Sequence, residues 1–111
     1  MDNLYNYKCK LIRVVDGDTI EALVDLGFDI WTKRFIDLSN VDAAEIRTKD
    51  LFEKEKGKIH KEMLESWISD TFYLQSNDYD AFGRSKGNII NENGYVINQV
   101  MVFNISKKEN K

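Results

Sequence analysis

Val14-Val15-Asp16-Gly17-Asp18-Thr19-Ile20-Glu21-Ala22-Leu23-Val24-Asp25 runs one strand into an Asp-Gly-Asp turn and out along a second. Asp and Gly favour turns because Asp hydrogen-bonds its own backbone and Gly accepts positive φ. The β-branched content of Thr19 to Asp25 suits a pleated, half-buried surface. Upstream, Tyr5, Tyr7, Cys9 and Leu11 alternate with Asn6, Lys8 and Lys10, so Tyr5 to Val15 reads as a strand whose period is blurred by Ile12, Val14 and Val15. Downstream, Leu26-Gly27-Phe28-Asp29 is a hairpin connection into a third strand, Ile30 to Leu38. The first third of the chain is therefore a three-stranded meander.

From Ser39 to Asp50 the pattern breaks, and Leu51 to Ile68 becomes helical. Ile59, Met63, Leu64, Trp67 and Ile68 form its apolar stripe, and Asp50 with Glu53 resembles a capping pair. Gly57 costs about 1 kcal/mol relative to Ala, which places the stable part at Lys58 to Ile68. Thr71 to Gln75 is a fourth strand, Asn77 to Gly83 a polar connection, and Gly87 to Ile90 part of a fifth strand ending at Asn93-Gly94. In Val96 to Ile105 helix and strand compete, and Ser106 to Lys111 is a charged, loose tail. This order predicts an α+β, mainly β domain: a five-stranded Greek-key barrel of the OB type, with a helix between strands 3 and 4 and a short helix at the end. Such barrels bind nucleic acids and saccharides, but the architecture supplies no chemistry.

The composition agrees with one domain over residues 1–111. At 13.0 kDa, with 42% hydrophobic and 32% charged residues, the chain fills a single core and excludes two-domain mechanisms. A net charge of −3 argues against a generically basic nucleic-acid binder and leaves a local basic groove open. The lone Cys9 forms no internal disulfide, and the first residues resemble no signal peptide, so a cytoplasmic, monomeric protein is expected. No apolar run approaches the roughly 18 residues of a membrane span. Proline is absent.

Two acidic clusters lie at element ends: Asp16-Gly17-Asp18-Thr19 and Asp42-Ala43-Ala44-Glu45. Hard divalent cations are held by carboxylate and carbonyl oxygens, and two loops at one end of a barrel suit such a site. Taken singly, the first also reads as a solvated turn and the second as a helix start. Their combination with Phe82-Gly83-Arg84 ahead of a strand is more specific.

Those motifs, with Gly94-Tyr95-Val96-Ile97-Asn98, resemble the thermonuclease, or staphylococcal nuclease-like, family over about residues 7–104. The family pattern is a V-x-D-G-D-T turn, an R-L-x-x-I/V-D-x-P-E segment and a Y-G-R segment. The resemblance implies that Asp18 and Asp42 bind Ca²⁺ together with the backbone carbonyl of Ala43. It makes Glu45 the general base toward water and Arg84 the residue that stabilises charge on the phosphoryl oxygens. Asp16 then matches the family's acidic residue just outside the ligand set, and Thr19 orders the turn or a metal-bound water. The partner implied is DNA or RNA.

The chain departs from that pattern at one position of consequence. The family places a second arginine five residues before the aspartate that Asp42 matches, and here Asp37 stands there. Three outcomes are open. Asp37 is an extra metal ligand or a solvated strand residue beside a slow enzyme; Arg34 reaches the cluster through a bulge, since without one it faces the wrong side of the strand; or the domain binds nucleic acid or a protein partner without cleaving. Ala44 replaces the family's proline and loosens the loop. Phe82 and Ala81 replace groups able to touch phosphate, and the sequence stops near where the family's last helix and its stacking tyrosines would begin, so base contacts of that kind are expected to be missing or supplied otherwise.

The remaining residues have plainer readings. His60 is a solvated surface histidine rather than a ligand or base, and Cys9 is a small buried hydrophobe. Trp67 belongs to the core stripe, and Trp31 is core or half exposed. The lysines from Lys49 to Lys61 form a solvated face interleaved with acids, Arg47 and Lys49 being the ones placed to touch phosphate. Tyr5, Tyr7, Tyr73, Tyr79 and Tyr95 are candidates for base stacking, with nothing in the sequence to select among them.

Overall fold

The computed structural model describes residues 5–109, with side chains through residue 106. Five strands, β1 (Asn6–Asp16), β2 (Thr19–Asp25), β3 (Trp31–Leu38), β4 (Thr71–Tyr79) and β5 (Arg84–Ile90), close into a barrel in the order β1-β2-β3-β5-β4. Helix α1 (Leu51–Trp67) lies between β3 and β4, and α2 (Ile97–Glu109) follows β5. The expected α+β, mainly β, OB-like class is the observed one.

The blurred period of β1 has a geometric cause. Its register with β2 slips between Leu11 and Arg13 and again between Val14 and Asp16, so two bulges switch which residues face inward. Cys9 and Val14 are thereby both buried despite an odd spacing. Burial pushes the Cys9 thiol up to about 12, which makes it an inert core group. β2 and β3 pair without interruption from Thr19 opposite Asp37 to Asp25 opposite Trp31. The barrel closes through a parallel β3–β5 ladder, with Phe35 opposite Arg84 and Asp37 opposite Lys86.

Ile20, Ile36, Leu64, Phe72, Leu74, Ile89, Ile97 and Met101 fill the interior and are almost wholly buried. Truncating the largest, Phe72→Ala, costs about 3–5 kcal/mol by loss of contacts and cavity formation. The buried Asn98 ties α2 to the barrel, accepting from the Ile89 amide at 2.8 Å and donating to the carbonyls of Ser39 and Gly87.

Several element expectations require correction. α1 is helical throughout, because Asp50 accepts from the amides of Phe52 and Glu53 as an N-cap. Gly57 does not fray the helix; a Cβ there would fall 2.7 Å from the Glu45 carbonyl, so glycine allows the loop to cross the helix closely. The buried face carries Gly57, His60 and Leu64, whereas Ile59 and Trp67 are exposed, Trp67 standing edge-on to Tyr95 at 6.1 Å. β4 runs on to Tyr79 and β5 begins at Arg84, which shortens the polar connection to residues 80–83. Segment 97–109 is helix, so the expected loose tail is helical through Glu109 and the rest of it lies outside the described residues. No helix of the described residues is long and apolar enough to cross a membrane.

Candidate functional site

The tight turn between β1 and β2, where Asp16 lies opposite Thr19, puts Asp18 at the mouth of the barrel beside the segment that follows β3. That segment is re-aimed by Asn40, which takes a left-handed φ of 64° that asparagine tolerates. A cavity of about 390 Å³ results, lined by Asp16, Asp18, Thr19, Asp42, Ala43, Ala44, Glu45 and Arg47. A second, of about 520 Å³, shares Asp18 and Asp42 and adds Asp37, Asn40 and Lys86. Asp18, Asp42, Ala43 and Glu45, drawn from two separate loops, are thus brought together, and Asp37 lies next to them.

The loop holding Asp42 and Glu45 is fixed by its backbone. The amide of Ala43 donates to Asp18 Oδ2 at 3.2 Å, that of Ala44 to His60 Nδ1 at 3.0 Å, and that of Glu45 to Glu53 Oε2 at 3.0 Å. Three consecutive N–H groups are each bonded to a side chain, which leaves the Glu45 carboxylate in the cavity wall with none of its own oxygens used in this bracing. The expected looseness at Ala44 is therefore corrected: the amide that alanine retains and proline lacks is the one His60 accepts. His60 itself is corrected from a solvated surface residue to a buried one, 3% exposed.

Asp18 is the carboxylate of this cavity whose ionisation its surroundings oppose. Burial pushes its carboxyl up from 3.8, and Asp16 and Asp37 push the same way, against the hydrogen bonds from Ala43 and Thr19. Thr19 Oγ1 lies 3.3 Å from Asp18 Oδ1 and 3.0 Å from Asp37 Oδ1, between the two carboxylates. A partly buried carboxylate with acidic neighbours is a site where a cation relieves strain. The all-oxygen donor set of Asp18, Asp42 and the Ala43 carbonyl fits a hard divalent ion completed by water. Among the described residues no three His, Cys, Asp or Glu side chains converge as a metal-holding group.

The arginine end is arranged differently. Arg84 Nη2 donates to Asp37 Oδ1 at 2.5 Å and Arg84 Nε to Asp37 Oδ2 at 3.1 Å, a bidentate pair across the β3–β5 ladder. The pairing with Asp37 holds the Arg84 guanidinium even further above its ordinary value, against the opposing effect of burial. Its plane also lies 5.6 Å from the Phe35 ring centre. The loop before it is set by Asp80, whose Oδ1 accepts from the amides of Phe82 and Arg84; those bonds, Arg84's first, hold the Asp80 carboxyl below its usual value.

Arg34 does not join the cluster. With β2 and β3 in continuous register no bulge intervenes, and its Nε donates to Ser85 Oγ at 3.0 Å while Nη2 donates to the carbonyls of Asp80 and Arg84. It lines a separate cavity with Tyr7, Leu26 and Tyr79. The alternation of strand faces, which set Arg34 and Asp37 apart in the sequence, decides the matter.

Sequence reasoning missed Lys86, Glu53 and His60. Lys86 lies opposite Asp37 and lines both the second carboxylate cavity and the one around Arg84; its position two residues after Arg84, on the same face of a strand, was the available signal. For Glu53 and His60 the i, i+7 spacing on one helix offered a weak one. Of the predicted phosphate-contact residues, Arg47 lines the first cavity. No protein-family model matches the chain, and no curated protein matches it either.

Proposed function

We propose that the chain is a divalent-cation-dependent phosphodiesterase of thermonuclease type acting on DNA or RNA, with one half of its machinery restrained. The observation that carries this reading is the convergence of Asp18, Asp42 and Glu45 on one cavity from two separate loops. Asp18 and Asp42, with the Ala43 carbonyl, are the residues to hold the cation, Ca²⁺ being the ion the resemblance implies. When bound it would neutralise a phosphate and favour ionisation of a nearby water.

Glu45, braced through its own amide, accepts the proton of the attacking water at its carboxylate, a role worth about 100- to 10,000-fold in rate. Arg84 would donate N–H groups to phosphoryl oxygens, but Asp37 holds its Nε–Nη2 edge, so a phosphate must displace that carboxylate to use this edge or bind through the remaining Nη donors. Arg47 and Lys86 add positive charge on the cavity rims where a polyanion would lie.

That same pair favours a second reading, a domain that binds nucleic acid or a protein partner without cleaving. The two are separated by incubating highly purified protein with plasmid DNA and with RNA in Ca²⁺, beside a chelated control and Glu45→Gln. Cleavage that needs the cation and is lost in Glu45→Gln supports the phosphodiesterase. Saturable binding with no cleavage under any divalent ion supports the binding module.

A further inference from the structure

We propose that His60 is a positioning residue that fixes the two acidic loops against each other, so that both cation affinity at Asp18 and Asp42 and the aim of Glu45 depend on it. The inference deepens the phosphodiesterase reading and rests on it. His60 is buried on the face of α1 turned toward the loops, 3% exposed. It touches both of them. Its Nδ1 accepts the Ala44 amide at 3.0 Å, within the loop that carries Asp42 and Glu45. On the other side, a Cβ added to Gly17 would fall 2.6 Å from His60 Cβ and 2.8 Å from Ala43 Cβ, so the turn between Asp16 and Asp18 packs directly on the histidine and on the second loop.

One helix face therefore presents three successive grips. Glu53 accepts the Glu45 amide, Gly57 lets the Glu45 and Ile46 backbone lie against the helix, and His60 accepts the Ala44 amide while backing Gly17. Of these, only His60 reaches the turn that carries Asp18 as well as the loop that carries Asp42. A leucine would occupy much of its volume but leave the buried Ala44 amide without its acceptor, and the loop would have to move to find another. Residues that orient ligands in this way typically change metal affinity or activity by about 10- to 100-fold when replaced.

The test compares wild type, His60→Leu, His60→Gln and Gly17→Ala by calorimetric titration with Ca²⁺ alone, amide hydrogen exchange at residues 43–45, and cleavage kinetics. His60→Leu is expected to weaken Ca²⁺ binding by about 10- to 100-fold, to speed exchange at those amides and to lower kcat with KM for the polynucleotide little changed. His60→Gln, which keeps an acceptor, recovers part of each loss. Gly17→Ala, which forces His60 and Ala43 apart with the imidazole intact, weakens Ca²⁺ binding too and carries the test should His60→Leu not fold. Folded His60→Leu or Gly17→Ala protein with wild-type Ca²⁺ affinity and protected amides overturns the inference and leaves the phosphodiesterase reading standing. Wild-type protein that binds Ca²⁺ in a His60-dependent way yet cleaves nothing sinks that reading instead, and keeps His60 as organiser of the cation site alone.

Discussion

At the carboxylate end of the groove the loop is held by its backbone: the amides of Ala43, Ala44 and Glu45 donate to Asp18, His60 and Glu53. At the arginine end the side chain is itself the thing held, since the Nε–Nη2 edge of the Arg84 guanidinium is paired with Asp37, which leaves the remaining Nη N–H groups to face a phosphate. The difference matters chemically. Bracing through main-chain N–H groups orders a side chain and leaves it available, which is preorganisation in the sense useful for catalysis. Pairing a guanidinium with a neighbouring carboxylate orders it as well, but occupies one of its donor edges and sets a negative charge beside the place a phosphate would take. The two ends thus arrive at rigidity by routes with opposite consequences for a substrate.

The change with the largest expected effect is at the carboxylate end. Glu45→Gln removes the proton acceptor and leaves the braced backbone, so cleavage should fall by about 100- to 10,000-fold while Ca²⁺ binding by calorimetry persists. Equal loss of both would mean that the loop, not the carboxylate, had been disturbed. At the arginine end the sign reverses: Asp37→Ala frees Arg84 and should raise the cleavage rate by about 10- to 100-fold, a part of what one transition-state donor is worth. Its stability cost, read by denaturant unfolding, stays within about 1 kcal/mol because the pair is partly exposed, with side-chain exposures of 48% and 33%.

A smaller effect concerns Asp18 before any cation is bound. Its folded pKa lies above 3.8, so ionising it opposes folding. Its contribution to stability is fully present below 3.8, where it is protonated in both states, and is lost as pH rises through the higher folded value. Asp18→Asn should therefore raise the melting temperature of chelated protein at neutral pH and flatten this part of the pH dependence, while abolishing the further rise that Ca²⁺ gives wild type. The smallest effect on cleavage belongs to Arg34→Gln. That side chain touches Ser85 and two carbonyls outside the carboxylate cavities, so the rate should hold while stability falls by about 0.5–1.5 kcal/mol per hydrogen bond lost.

How much of this was legible in the sequence divides along the same line. The meander and the order of elements follow from local signals, namely turn residues, β-branched runs and a capped helix, whereas the meeting of Asp18 with Asp42 and Glu45 was expected from the family resemblance and not from any local pattern. The phase of α1 did not follow from such signals, because hydrophobic periodicity counts a histidine and a glycine as outward-facing, and here both are buried by the close crossing of the loop that carries Asp42 and Glu45. The start of β5 was hidden for a similar reason: Arg84, Ser85 and Lys86 look like loop residues, and their parallel pairing with β3, joined by the pairing of Ser85 and Lys86 with β4, makes them a strand. That parallel ladder is also what brings Arg84 to Asp37, a contact 47 positions apart in the chain that no local pattern encodes.

The central claim, that the carboxylate end is ready and the arginine end is withheld by Asp37, is tested most directly by a double-mutant cycle on single-turnover cleavage with saturating Ca²⁺. Arg84→Ala should cost little while Asp37 is present and about 100-fold or more in the Asp37→Ala background, so that the two changes are strongly non-additive. The same cost of Arg84→Ala in both backgrounds, or no cleavage by Asp37→Ala protein, would contradict it.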